Sequence, residues 1–376
     1  MAYFSKRPGL LNNESLPKAI PKDIVDRIIM SSEQQDKKTL LVFNCHEPWV
    51  YQLSYLGFNL DIIIGLKGRY TSGWDERMRP VPENGRLISL QEAIESKTEY
   101  YCIITHNTTD LLDVKSRDEP KIIVLHSSLE GRIQEEQGQS TAGSEKLRDI
   151  LHTYIATTGT HAVATSMFKG ESWGLTEDIV FFGINAEEYL PHTGEEACGL
   201  RVCNFIDSRR KILLWDFHDE AFAGLPVRLV GHNPMLAGVS AAANWDELKQ
   251  IFKSHRFYIH TADPCYESGF NMASVEAMAA GMPVLGNRHP TSPIKHGISG
   301  FLSDNPAELR KFATILLEDK ELANLMGRQA RKIAIEEFSI ARFAWSFNLS
   351  IEKARDKWLQ KKTNQATPPP VNANVP

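Results

Sequence analysis

Short apolar runs rich in β-branched residues recur along this chain, and each ends in polar residues. The first four fall at 40–45 (LLVFNC), 60–65 (LDIIIG), 101–105 (YCIIT) and 121–125 (KIIVL), with 162–164 and 179–182 closing the first half. Runs without polar alternation suit strands covered on both faces, as in a parallel sheet. Segments of helical pattern intervene at 90–96 and 144–154. A second series opens near residue 200. It predicts strands at 200–205, 227–231 and 257–260, and helices at 211–222 and 246–254. This alternation predicts an α/β protein built from doubly wound sheets. The chain has 376 residues, too many for one typical core, so two successive domains are expected, linked near 183–191. A short helix is predicted at 21–30 within a polar lead.

Composition narrows the classes of function. The net charge is −5, which argues against nucleic-acid partners, since these require a basic surface. No apolar run reaches the roughly 20 residues that span a bilayer, and residues 1–21 lack the apolar stretch of a signal peptide. The five cysteines, Cys45, Cys102, Cys198, Cys203 and Cys265, are scattered without a Cys-x-x-Cys pair. Reduced thiols, a cytoplasmic location and no metal site are the expectation. Association with the inner membrane face through a weak interfacial patch is left open, because net charge does not report on it.

The segment 266–286, YESGFNMASVEAMAAGMPVLG, carries the strongest chemical signal. Ser268 and Gly269 open a turn. Ala273, Glu276, Ala277 and Ala280 follow at the spacing of one helical face, and Gly281 with Pro283 ends the helix before an apolar strand. A turn feeding a helix N-terminus presents unpaired amides backed by the helix dipole, a site suited to phosphate. Glu276, further along, is placed to accept hydrogen bonds from sugar or ribose hydroxyls. Together they point to a nucleotide-sugar site.

These residues resemble the donor-site signature of retaining glycosyltransferases of the GT-B fold, the broad group that includes glycogen synthase and sucrose synthase. The resemblance is specific over about 257–340 and implies two Rossmann-like domains facing across a cleft. The implied first domain is 1–190, the second 191–342. Residues 343–362 form a helix crossing back to the first domain, and 363–376 a disordered tail. In the family seven residues separate two glutamates; the first faces the donor sugar and the second binds the ribose. Here eight residues separate Glu267 from Glu276, and Ser268 falls at the strict first position. Either a bulge lets Glu267 serve or the first acid is missing. The implied donor-binding set is Ser268, Gly269, Phe270, Asn271, Met272 and Glu276, with Arg209, Arg210 and Lys211 as diphosphate cations. His126, at the end of the 121–125 run, is the implied sugar-contacting residue, and with Glu267 it makes the expected catalytic pair. His106 is a weaker candidate on the acceptor side, and His46 and Glu47 follow the first strand. The glycine pair that the family often has there is absent from Asn44–Trp49.

The implied activity is metal-independent, retaining transfer from a nucleoside-diphosphate sugar, with no cofactor beyond that co-substrate. A hydroxyl of a glycan, lipid-linked glycan or protein would be the acceptor. Two alternatives keep the fold: a catalytically silent GT-B protein that binds a glycan or partner, and a sugar-nucleotide epimerase.

Overall fold

A computed structural model describes residues 38–66, 73–136, 143–189 and 191–366. The helix expected at 21–30 and the tail beyond 366 lie outside them.

The first lobe is a six-stranded sheet of β1 (Thr39–Phe43), β2 (Asn59–Ile64), β3 (Gly85–Ser89), β4 (Cys102–Thr105), β5 (Lys121–Leu125) and β6 (His161–Ala164). Its order is β3-β2-β1-β4-β5-β6, and every pairing is parallel. Successive residues go to opposite faces. Leu40, Val42, Ile62, Ile104, Ile122 and Val124 enter one core, and Leu41, Phe43, Ile63 and Ile103 another. Burial on both faces is why these strands read as continuous apolar runs. Helices α1 (Glu47–Tyr51), α2 (Leu90–Glu95), α3 (Thr108–Asp113), α4 (Leu129–Glu135), α5 (Ser144–Thr158) and α6 (Met167–Trp173) connect them. Ser89, Asn107, Ser128 and Ser166 cap four of these helices, each side chain accepting from the amide three residues on. β3, β4, β5 and β6 thus each pass within a few residues into a capped helix.

The second lobe is a five-stranded parallel sheet, β11-β10-β9-β7-β8. Its strands are β7 (Glu196–Val202), β8 (Val227–Val230), β9 (His255–Ile259), β10 (Val284–Gly286) and β11 (Gly300–Leu302). Its helices are α7 (Trp215–Phe222), α8 (Trp245–Ser254), α9 (Met272–Ala280), α10 (Pro306–Glu318) and α11 (Lys320–Glu337). The last helix, α12 (Ile340–Ala366), returns to the first lobe. Phe343 and Phe347 pack edge-on to Trp49, Lys353 pairs with Asp178 at 2.8 Å, and Trp358 donates to the Asp118 carbonyl at 2.6 Å. The two segments that join the lobes run side by side. The Ile184 amide donates to the Phe338 carbonyl at 2.7 Å, and the Ile340 amide to the Ile184 carbonyl at 3.1 Å.

Several expectations are corrected. Residues 179–182 form no sheet strand; Ile179 makes a lone bridge to Ala164, and Phe181 and Phe182 instead pack on Phe270 and Phe338 at the lobe junction. β3 escaped the sequence reading because it is a part-exposed edge strand with little apolar content. The helix expected from 211 starts at Trp215, because Leu214 takes a left-handed conformation (φ 46°) that interrupts it. Residues 363–366, read as disordered tail, continue α12, and the Thr363 hydroxyl donates to the Leu359 carbonyl at 3.0 Å.

Gly183 marks where the crossing segments are tightest. A Cβ there would stand 2.6 Å from Phe343 Cβ and 2.8 Å from Ile340 Cα. Gly183→Ala should therefore cost about 1–3 kcal/mol by overpacking. A urea midpoint that falls at unchanged slope is the expected result; an unchanged midpoint refutes the packing assignment.

Candidate functional site

Each sheet reverses its strand order at one point, β1/β4 in the first lobe and β7/β9 in the second. Crevices open beyond the carboxyl ends of strands at such points, where no crossover helix covers the sheet. The two crevices lie on the contact between the lobes. There Ser128, the cap of α4, donates to the Tyr266 carbonyl at 2.5 Å. A Cβ on Gly131 would come within 2.3 Å of that same oxygen, so only glycine lets the lobes approach this closely.

On the second-lobe side, the loop after β7 and Asp263 after β9 line a cavity of about 410 Å³. Arg209, Arg210, Lys211, Asp207 and Asp216 contribute from this loop and its helix, and Gln134 closes it from the first lobe. That volume is within the range of small-ligand sites. Arg210 pairs with Asp216, and Lys211 donates to Gln134 at 3.3 Å. Arg209 reaches Glu135 at 2.9 Å and Glu267 at 3.5 Å. Lys169, from α6, pairs with the other Glu267 oxygen at 3.0 Å. Burial alone would raise the Glu267 carboxyl, but Lys169 first, then Arg209 and the Ser268 amide, hold it below the ordinary range. Glu267 is thus drawn in to gather cations from both lobes. Ser268 is turned away, its hydroxyl 3.1 Å from that of Ser166.

The segment singled out in the sequence forms a turn and helix as expected. Asn271 caps α9 with Ser274 in a reciprocal capping box, and the Gly269 amide donates to the Thr291 hydroxyl at 2.8 Å. The amides of Met272 and Ala273 take no partner among the described residues. Two expectations change. α9 is buried from Ser274 to Ala280 rather than along one face, because α8, α11 and the lobe junction surround it. Phe270 does not face the cavity; it fills the aromatic junction with Phe181, Phe182 and Phe338.

Glu276 is itself buried, at 4% exposure, and its Oε1 pairs with Arg79 of the first lobe and accepts from the Tyr189 hydroxyl at 3.1 Å. The Arg79 guanidinium lies 4.1 Å over the Trp245 ring. Its loop is held from the end of β1. Asn44 donates to the Gly73 carbonyl at 3.0 Å, Glu47 accepts from the Asp75 amide at 3.2 Å, and Trp74 donates to the Arg79 carbonyl at 2.8 Å. Glu276 Oε2 takes no partner among the described residues.

On the first-lobe side, Cys45, His106 and His126 meet beyond β1, β4 and β5. His126 Nε2 lies 2.9 Å from His106 Nδ1 and 3.7 Å from Cys45 Sγ. Burial, then His106, Lys169 and His46, holds His126 neutral. Burial, then Arg79 and Arg209, pushes His46 down to about 4. The histidines of one lobe therefore sit in the field of the cations that surround the glutamates of the other. Sequence reasoning missed Arg79, Lys169 and Tyr189. Only the Ser166 cap preceding Lys169 leaves a local signal; the other two act across long stretches of chain.

Residues 239–333 match the family described as Glycosyl transferases group 1. Sucrose-phosphate synthase from Thermosynechococcus elongatus superposes with a TM-score of 0.58 at 13% identity, over 88% of this chain and 100% of that one. HepE from Anabaena, in complex with UDP and glucose, gives 0.57 at 12% identity, over 87% and 99%. TarM gives 0.52 at 13% identity over 66% of this chain, which spans only 54% of TarM. No curated protein sequence matches the chain. The chain has the GT-B fold, two Rossmann-like domains, and residues 239–333 of its second lobe match the glycosyl transferases group 1 family. Among the described residues no helix is long and apolar enough to cross a membrane.

Two predictions follow from the buried charges. Arg79→Met leaves Glu276 buried without its cation and should cost about 3–5 kcal/mol in a denaturant melt. The double variant Arg79→Met/Glu276→Gln should recover most of that loss; additive losses would deny the coupling. For Glu267 the lowered carboxyl makes a stabilising contribution present above its ordinary value of 4.5 and lost as pH falls through the lowered one. Replacing Glu267 with Gln should therefore flatten the acid limb of stability against pH below 4.5, and identical limbs would refute it.

Proposed function

We propose that this chain transfers a sugar from a nucleoside-diphosphate donor to an acceptor hydroxyl, with retention at the anomeric carbon and without a metal in the transfer step. The carrying observation is that Arg209, Arg210 and Lys211 line a cavity at the β7/β9 reversal, with Lys169 of the first lobe joined to Arg209 through Glu267. Cations fixed before reaction stabilise the charge that grows on a departing diphosphate, and they need no reorganisation to do so. The free amides of Met272 and Ala273 add donors at a helix N-terminus. Glu276 Oε2 is the group left to accept a ribose hydroxyl. Neutral His126 can accept from, or donate to, a sugar hydroxyl.

In this reading the bond from the anomeric carbon to the diphosphate oxygen breaks as the acceptor oxygen bonds on the same face. The acceptor proton passes to the departing phosphate oxygen. HepE, of similar fold, binds UDP and glucose, so UDP-sugars are the first donors to try. The acceptor class is a glycan, a lipid-linked glycan or a protein hydroxyl. A role in polysaccharide synthesis at the cytoplasmic membrane face fits that acceptor range. The domain limits expected from the sequence, near 190 and 342, belong to the same reading.

The burial of Glu276 against Arg79 favours a second reading, a silent GT-B protein whose lobes are pinned shut. A thermal-shift screen of UDP-, GDP-, ADP- and TDP-sugars, followed by release of free diphosphate from the best donor, separates the two. An enzyme raises its melting point with a donor and hydrolyses it slowly; no shift and no release with any donor leaves the silent protein. An isomerised sugar nucleotide would identify an epimerase. Glu276→Gln removes a hydrogen bond to a charged group, worth about 1.5–3 kcal/mol, and should weaken UDP affinity at least about tenfold by calorimetry. Unchanged affinity would remove Glu276 from the donor site.

A further inference from the structure

The Cys45, His106 and His126 cluster is richer than sugar contact requires. Its three side chains come from the ends of β1, β4 and β5, the strands flanking the first-lobe reversal. A single crevice therefore receives a thiol and two imidazoles from three neighbouring strands. Their ligand atoms all lie within 4.8 Å of one another.

The proton on His106 turns one lone pair into the cluster, and His126 Nε2 donates to it at 2.9 Å. His106 Nε2 is 2.9 Å from the Phe43 carbonyl oxygen, which can only accept. Nε2 therefore carries the proton, and Nδ1 presents its lone pair to the cluster. This is the outer-shell arrangement that orients metal-binding histidines, with the second ring nitrogen donating to a backbone carbonyl. Trp49 fixes both ring planes edge-on, at 5.0 Å from His106 and 4.9 Å from His126. The spacing suits a small cation. Zinc–sulfur and zinc–nitrogen bonds of about 2.3 and 2.0 Å at tetrahedral angles separate sulfur from nitrogen by about 3.5 Å, and two nitrogens by about 3.3 Å. His126 Nε2 stands 3.7 Å from Cys45 Sγ and 2.9 Å from His106 Nδ1, with all three atoms within 4.8 Å, so the two rings must part and the thiol close in to reach that geometry. Two carboxylates supply negative charge nearby. Asp110 accepts from the His106 amide at 2.9 Å, and Glu47 sits two residues after Cys45.

We propose that Cys45 Sγ, His106 Nδ1 and His126 Nε2 form a three-ligand site for a soft divalent cation of the zinc class, with the fourth coordination position open to the crevice. Binding displaces the thiol proton to solvent and moves the His126 proton from Nε2 to Nδ1, so that both imidazoles bind as neutral donors. The site is distinct from the diphosphate cations and supplies nothing to the transfer step. It takes the same His126 nitrogen that the proposed sugar contact uses, so bound zinc opposes transfer; that clause rests on the glycosyltransferase reading, whereas metal binding does not.

Cobalt(II) added to the reduced full-length chain is the direct test. A tetrahedral d–d spectrum with a sulfur-to-cobalt charge-transfer band is expected, reversed by zinc. An octahedral spectrum without the charge-transfer band overturns the proposal. The exposed Cys265 is the obvious adventitious thiol. In Cys265→Ser the band should persist, and its loss there would assign the metal to that surface thiol and overturn the site. Cys45→Ser, nearly isosteric, should abolish the band and weaken zinc about 100-fold, at least the upper end of what an outer-shell change costs. Retention of zinc affinity in a folded Cys45→Ser chain would also overturn it. If that variant does not fold, the spectra of the unaltered and Cys265→Ser chains still decide. These spectra need no sugar donor, so a failure of metal binding and a failure of transferase activity are read separately.

Discussion

A guanidinium and a carboxylate removed from water together must stay together, since either alone would carry a desolvation penalty of several kcal/mol. Arg79 and Glu276 are such a pair, and they belong to different lobes. The pair ties the segment before β3 to the second lobe. Asn44 and Glu47 hold that segment at the end of β1, and it carries Arg79 to α9. Helix α9 is therefore fixed from the first lobe as well as from its own. A charge pair at that junction ties the two lobes together.

The rest of the crevice follows from the same closure. Glu267 lies one residue away from the position the family pattern assigns to the first acid, and it is turned to bind Lys169 and Arg209. A carboxylate so engaged organises cations more readily than it grips a sugar. The cavity beside it is lined by Arg209, Arg210 and Lys211 together with Asp207, Asp216 and Asp263, and lies where an open α/β sheet has no crossover to fill the space. Opposite stands a neutral histidine cluster. The two lobes thus differ in character, charged side chains in pairs on one side and neutral imidazoles with a thiol on the other.

The sequence made the strands visible wherever both faces are buried. LLVF, DIII and IIVL are runs that only a covered parallel strand explains, and the structure places each in the first-lobe sheet. It made β3 invisible, because an edge strand of mixed polarity has no such run. Residues 179–182 look like a strand for the same reason the others do, but their apolar side chains serve the aromatic junction instead. Burial is legible in a sequence; the surface that provides it is not. The start of α7 was misplaced because a left-handed Leu214 carries no residue-type signal, unlike glycine.

What the sequence determined by itself is the local grammar: the alternation that demands doubly wound sheets, the capped turn at Asn271, the glycine that stops α9, and the cations after β7. These depend on near neighbours and on period, both written in order along the chain. Tertiary structure decided what those groups face. Arg79 stands 197 positions from Glu276, and Cys45, His106 and His126 converge only because the strand order reverses between β1 and β4. Charge pairing and lone-pair direction act through space over a few ångströms, and a linear spacing holds no record of which strand ends become neighbours.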